Sequence, residues 1–157
     1  MSSLEFRKAT IADLGAIIRL LADDQLGQKR EQPEAAISSP AYKMAFNRIL
    51  ADPNQFLMVV ERSGEVIGTC HLTLLPSLTF HGALRLNIEA VRIDSSLRGQ
   101  GIGEWLFNNI LEFAKAEGCK IVQLTTNKER VDALRFYEKL GFKATHEGMK
   151  LYLAPTL

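Results

Sequence analysis

The sequence predicts a mixed α/β fold, with about seven strands and about four helices in a single domain spanning residues 1–157. Three observations point there. Apolar runs such as Phe56-Leu57-Met58-Val59-Val60 recur along the chain, bounded by turn residues, as strands do. Other segments repeat their apolar residues at helical spacing, as in Ile102, Leu106, Ile110 and Phe113. The chain has 157 residues, 46% hydrophobic and 24% charged, which suits one globular domain with a full core.

Taken in order, Leu4 to Lys8 predicts a first strand. Thr10 and Asp13 then fit a helix start, as N-cap and reciprocal acid, followed by Ile11, Leu14, Ile18 and Leu21 at helical spacing. Asp23 to Pro40 is polar with two prolines, so a long loop and a broken helical segment are both open. Tyr42 to Ala51 predicts a second helix, stopped by Asp52-Pro53-Asn54. Phe56 to Glu61 and Val66 to Leu75 predict a hairpin across Ser63-Gly64. After a connection over Pro76 to Gly82, Ala83 to Ile93 predicts another strand. A helix follows from about Gly101 to Glu117, with Gly118 as its stop. Ile121 to Thr125 predicts a short strand and Arg130 to Leu140 a helix ended by Gly141. Phe142 to Thr145 and Met149 to Leu153 predict two closing strands.

Several function classes are disfavoured. A net charge of +1 and the lack of a helix-turn-helix pattern give no sign of a nucleic-acid partner. No apolar run approaches a membrane span, and the N-terminus lacks the regions of a signal peptide, so a cytoplasmic protein without membrane contact is expected. Cys70 and Cys119 are expected as small buried hydrophobes. No Cys/His spacing suggests a metal, and none is expected.

The most informative stretch runs from Ile88 to Gly103. A strand enters a turn, Arg98-Gly99-Gln100-Gly101-Ile102-Gly103, and the turn opens an amphipathic helix. The first N–H groups of a helix lack internal partners and sit at its positive end, so they form an anion site that suits a pyrophosphate. Glycines permit unusual backbone angles and close approach of oxygens. Arg98 adds a charge that can bond bidentately. The glycine positions fit neither an NTPase loop nor the dinucleotide spacing. The alternative is a turn whose glycines merely permit tight strand–helix packing.

At these residues the chain resembles a known family. Arg98-x-x-Gly101-x-Gly103 after an apolar strand looks like the acyl-CoA-binding motif of the GNAT acetyltransferase superfamily, and Phe136-Tyr137-Glu138-Lys139-Leu140-Gly141-Phe142 looks like its later helix and exit. The motifs stand in the family's order. Ile88-Glu89 through Asp94-Ser95-Ser96 is also similar to glucosamine-phosphate N-acetyltransferases, but that likeness is local and carries no substrate.

The resemblance implies the GNAT fold, a mixed sheet whose central parallel strands splay apart to admit pantetheine. It implies transfer of the acetyl group of acetyl-CoA to a primary amine by direct attack in a ternary complex. Val91 and Ile93 would offer backbone groups to pantetheine and the thioester, residues 98 to 103 would hold the pyrophosphate, and Asn127 would contact the cofactor arm. A backbone N–H near Val91 would stabilise the oxyanion. Tyr137 matches the family's general acid and is expected at the helix start, facing the cofactor sulfur; otherwise it packs beside Phe136. Where many members carry Asn, this chain has Arg130, which would reach a phosphate or remain a solvated base.

Glu89 is the candidate base. Strand alternation would place it on one face with Val91 and Ile93, desolvated among Ile88, Ala90 and Val91, unless a bulge intervenes. Otherwise it is a structural carboxylate paired with Arg85 or Arg92. His71, His81 and His146 stand singly and are read as packing or surface. Leu78 and Phe80 fit a substrate wall or a homodimer contact. The acceptor side is expected between Asp23 and Tyr42, where mixed charge leaves a small amine, an amino sugar and a protein amine all open. A non-catalytic acyl-CoA-binding sensor is the rival to an enzyme.

Overall fold

A computed structural model describes residues 3–35 and 38–154. The chain forms two compact units, Met1–Gln123 and Leu124–Leu157.

In the larger unit, β1 (Leu4–Lys8), β2 (Gln55–Arg62), β3 (Glu65–Leu75) and β4 (Arg85–Ile93) pair antiparallel in sequence order, and β5 (Ile121–Leu124) follows beside β4. The β4–β5 connection is a helical crossover of the kind parallel neighbours require, so the sheet is mixed. The β2–β3 hairpin turns at Ser63 and Gly64, with φ of 54° and 81°. Two successive left-handed residues match the right-handed twist of the strands.

Among the described residues four helices have nine residues or more: α1 (Leu14–Ala22), α3 (Pro40–Ala51), α4 (Ile102–Ala116) and, in the smaller unit, α5 (Val131–Lys139). The polar stretch after Asp23 is the broken helical segment, with the one-turn α2 (Gln25–Gln28) and a 3-10 turn at Pro33–Ala35. Part of that stretch, residues 36 and 37, lies outside the described residues.

The sheet has two apolar faces. Leu14, Ile17 and Ile18 of α1 and Phe46 of α3 bury against Val59 and Ala9. On the other face lie Met58, Val60, Cys70, Leu72 and Ile88, all buried. Phe113 of α4 meets Phe56 edge-on there, at 4.9 Å between ring centroids. Ile102, Leu106, Phe107 and Ile110 give α4 its buried stripe, as its spacing predicts. Cys70 is fully buried, and burial pushes its thiol pKa well up; Cys119 is only partly covered.

The predicted capping acid is in place. Asp13 accepts the Thr10 N–H at 2.8 Å, and Arg7 donates to both its carboxylate oxygens at 2.8 and 3.0 Å. Arg7 also donates to Glu61 at 2.8 Å, so one guanidinium joins β1, the entry to α1 and β2.

Among the described residues the strand count is five, not about seven. Phe142–Thr145 and Met149–Leu153 are irregular. Extended residues become a strand only where a neighbour supplies ladder hydrogen bonds. The first segment instead folds back on itself, Thr145 N–H donating to Lys143 C=O at 3.0 Å. In the second, Met149, Leu151 and Leu153 are exposed.

Candidate functional site

The turn between β4 and α4 is built by local chemistry. Asp94 accepts the Ser96 N–H at 2.9 Å and its hydroxyl at 2.6 Å, which starts a 3-10 turn over Ser95–Leu97. Those bonds, foremost from Ser96, hold the Asp94 carboxyl below its ordinary pKa. Asp23, just past α1, reaches across to accept the Ser95 N–H and hydroxyl at 2.8 and 3.0 Å. Asp24 lies 3.8 Å from Arg92 Nε. The start of the expected acceptor-side segment is therefore tied to the end of β4.

Beyond Arg98 the chain turns on Gly99 and Gly101, with φ of 77° and 79°. Gly101 is the N-cap of α4, and Ile102 and Gly103 are its first two residues. Trp105 is the first residue whose N–H reaches back, to Gly101 C=O at 3.0 Å. The N–H groups of Ile102, Gly103 and Glu104 thus have no acceptor inside the helix. A Cβ built on Gly99 or Gly101 would meet no described atom within 4 Å. Tight packing is therefore not why these residues are glycine. Left-handed backbone and open space at the Cβ positions are the remaining reasons, and both suit the approach of an anion. Arg98, Gly99, Gln100 and Gly101 are exposed.

Upstream, β4 is bulged. Glu89 pairs with His71 and Arg92 with Thr69, so Ala90 and Val91 both stand opposite Cys70. Ala90 has φ of 52°, left-handed for a residue with a Cβ. The bulge shifts alternation by one residue. Glu89 shares its face with Arg92, and Ile93 lies on the opposite face with Ile88. The expected common face for Glu89, Val91 and Ile93 does not form. Glu89 is also exposed, not enclosed by Ile88, Ala90 and Val91. A bulge leaves main-chain groups out of the ladder, and here it does so beside Val91.

The smaller unit carries the remaining candidates. Asn127 is exposed; its side chain accepts the Glu129 N–H at 2.9 Å and its carbonyl accepts the Arg130 N–H at 2.9 Å. Arg130 is the N-cap of α5. Tyr137 is the seventh of the nine residues of α5, in its last turn and not at its start. There the second motif has a physical basis. Gly141 takes φ of 96°, Gly141 N–H donates to Glu138 C=O at 3.0 Å, and Phe142 N–H donates to Tyr137 C=O at 3.1 Å. This is a Schellman cap, and the rings of Tyr137 and Phe142, 6.0 Å apart, make its apolar contact.

Sequence reasoning missed His71, which faces Glu89 across the ladder. Its register with β4 depends on a distant pairing that carries no local signal. Among the described residues no cluster of His, Cys, Asp and Glu suits a metal, and no helix is long and apolar enough to cross a membrane.

Comparison with known proteins agrees with these features. Residues 17–142 match the Acetyltransferase (GNAT) family. An aminoalkylphosphonate N-acetyltransferase of Salmonella typhimurium is 30% identical over 93% of this chain and 89% of its own length. A glucosamine 6-phosphate N-acetyltransferase of Trypanosoma brucei brucei is 36% identical over 58% of this chain, which spans only 60% of that protein. A crystal structure described as a transcriptional regulator from Bacillus halodurans C-125 is 46% identical, with a TM-score of 0.91 over 96% of this chain and 100% of that one. The motif order, the mixed sheet and these matches together place the chain in the GNAT acetyltransferase family.

Proposed function

We propose that residues 1–157 act as an acetyl-CoA-dependent N-acetyltransferase whose acceptor is a small primary amine. The observation that carries this reading is the turn at residues 99–103, where Gly99 and Gly101 are left-handed with open space at their Cβ positions, just before helix amides that have no acceptor within the helix. A diphosphate fills such space with charge-assisted hydrogen bonds, and Arg98 adds an exposed cation.

Pantetheine would run from there along β4, against the backbone of Val91 and Ile93, with Asn127 and Arg130 on the cofactor arm. The bulge supports a further role for Val91: a main-chain N–H freed from the ladder is a preset donor for the oxyanion of the tetrahedral intermediate. Glu89 is the candidate base for the amine, and Tyr137 the candidate acid for the departing thiolate. Both substrates held in one cleft would supply the larger share of the rate enhancement.

The acceptor class is suggested by two relatives, whose names describe amines bearing a phosphorus oxyanion, a sugar phosphate in one and an alkylphosphonate in the other. Thiol release from acetyl-CoA, measured against glucosamine 6-phosphate, aminoalkylphosphonates, uncharged amines and N-terminal peptides, tests this. Turnover with a phospho- or phosphono-amine supports the full reading, and turnover only with peptides rejects the small-molecule acceptor. The second reading, a non-catalytic acyl-CoA-binding regulatory module, is favoured by the description of the 46% identical structure as a transcriptional regulator. Tight acetyl-CoA binding with no turnover across the panel would favour it.

A further inference from the structure

Across the ladder from Glu89, His71 stands at the end of a fixed hydrogen-bond chain. His71 Nε2 lies 2.8 Å from Gln55 Oε1. Gln55 in turn donates its amide nitrogen to Asp52 at 2.9 Å, and Asp52 also accepts the Asn54 N–H at 2.9 Å. A carboxylate only accepts, so Asp52 fixes which end of the Gln55 amide faces the ring. That end is a carbonyl oxygen, which requires the ring proton on Nε2. The neutral imidazole then keeps Nδ1 as its acceptor. An oriented basic nitrogen, held by a second group that is itself held by a third, is the arrangement a proton acceptor needs.

His71 is half-buried, and burial holds its pKa below the ordinary value, while Glu89 pulls in the other direction. On its face of the sheet it has Leu57 opposite on β2, Thr69 and Thr73 along β3, and Glu89, Arg92 and Asn87 on β4. Helices α1 and α3 cover this side; their charged residues are Arg19 on α1 and Lys43 and Arg48 on α3, all exposed.

We propose that His71 Nδ1 takes the proton from the acceptor ammonium, and that Glu89 is the charge partner of the imidazolium so formed. The inference rests on the acetyltransferase reading above and replaces one part of it, moving the role of base from Glu89 to His71. The ammonium gives one proton to Nδ1, which passes it to solvent. The amine lone pair forms the C–N bond to the thioester carbon, and the carbonyl pair moves to oxygen. As that pair returns, the C–S bond breaks; the sulfur takes up one proton and the nitrogen releases one, so the step balances.

The test is the pH profile of kcat/KM for wild type, His71→Gln and Glu89→Gln with the best amine of the panel. Wild type should show an acid limb centred below about 6.5. His71→Gln should lower kcat by about 100-fold and abolish the limb, with acetyl-CoA affinity unchanged. Glu89→Gln should keep the limb and move it to lower pH, because the imidazolium loses its countercharge. A limb that survives His71→Gln, or one that vanishes in Glu89→Gln, overturns the proposal. If His71→Gln does not fold, Gln55→Leu serves: it should lower kcat at unchanged acetyl-CoA affinity, and an unchanged kcat overturns the proposal. Absence of wild-type turnover with every amine removes the acetyltransferase reading itself, and this proposal with it.

Discussion

Gly101 holds φ of 79° with no described atom within 4 Å of the place a Cβ would occupy. Gly101→Val therefore meets backbone strain but no clash inside the protein, a cost of roughly 1–2 kcal/mol. The melting temperature should fall by only a few degrees, about 2–4 °C per kcal/mol at this size. Affinity for coenzyme A should fall by about 100-fold or more, since several charge-assisted bonds are lost at once. Calorimetric titration beside a thermal melt reads both, and unchanged affinity removes the cradle. Tyr137 admits a similar separation. Tyr137→Phe keeps the ring that packs on Phe142 and deletes only the hydroxyl. Turnover should fall by about 100-fold with acetyl-CoA affinity nearly unchanged. Wild-type turnover would show that another group protonates the thiolate.

At the scale of elements, the entry to α1 depends on charge. Arg7 hydrogen-bonds to Asp13 and, as the leading cause, holds its carboxyl below the ordinary carboxylate pKa. A carboxylate whose folded pKa is lowered contributes its stability in full above the unfolded pKa of about 3.9, and that contribution is lost as pH falls through the folded value. Asp13→Asn should cost about 2 kcal/mol at pH 7. In urea titrations across pH, its deficit relative to wild type should shrink below about pH 4. A deficit constant with pH would mean the pair carries no net ionic stabilisation. Elements of this kind were legible in the sequence because their causes are local. Thr10 and Asp13 sit three residues apart, Ser63-Gly64 supplies a hairpin turn by itself, and Gly118 and Gly141 end their helices. The bulge at Ala90 was not, because alanine carries no preference for left-handed backbone and the pairing on either side imposes it. Nor was the fate of Phe142–Thr145 and Met149–Leu153. Their apolar residues fit a strand, but a strand needs a partner that a segment's own residues do not specify.

On the scale of the whole molecule, a net charge of +1 leaves no bulk field to gather anionic substrates. Recognition must then come from preset groups: the amides before Trp105, the freed backbone beside Val91, and the face of the sheet that carries Glu89 and His71. The cradle was readable because its glycines, arginine and following helix lie within a few consecutive residues. The pairing of His71 with Glu89 was not, because it depends on register between strands joined by a long connection. The central claim is that amides at the start of α4 hold the cofactor pyrophosphate. Amide resonances of ¹⁵N-labelled protein, followed during titration with coenzyme A and separately with pantetheine, test it most directly. Large shifts at Gly99, Gly101 and Gly103 with coenzyme A, absent with pantetheine, are the predicted result; saturable coenzyme A binding that leaves those three amides unmoved would contradict it.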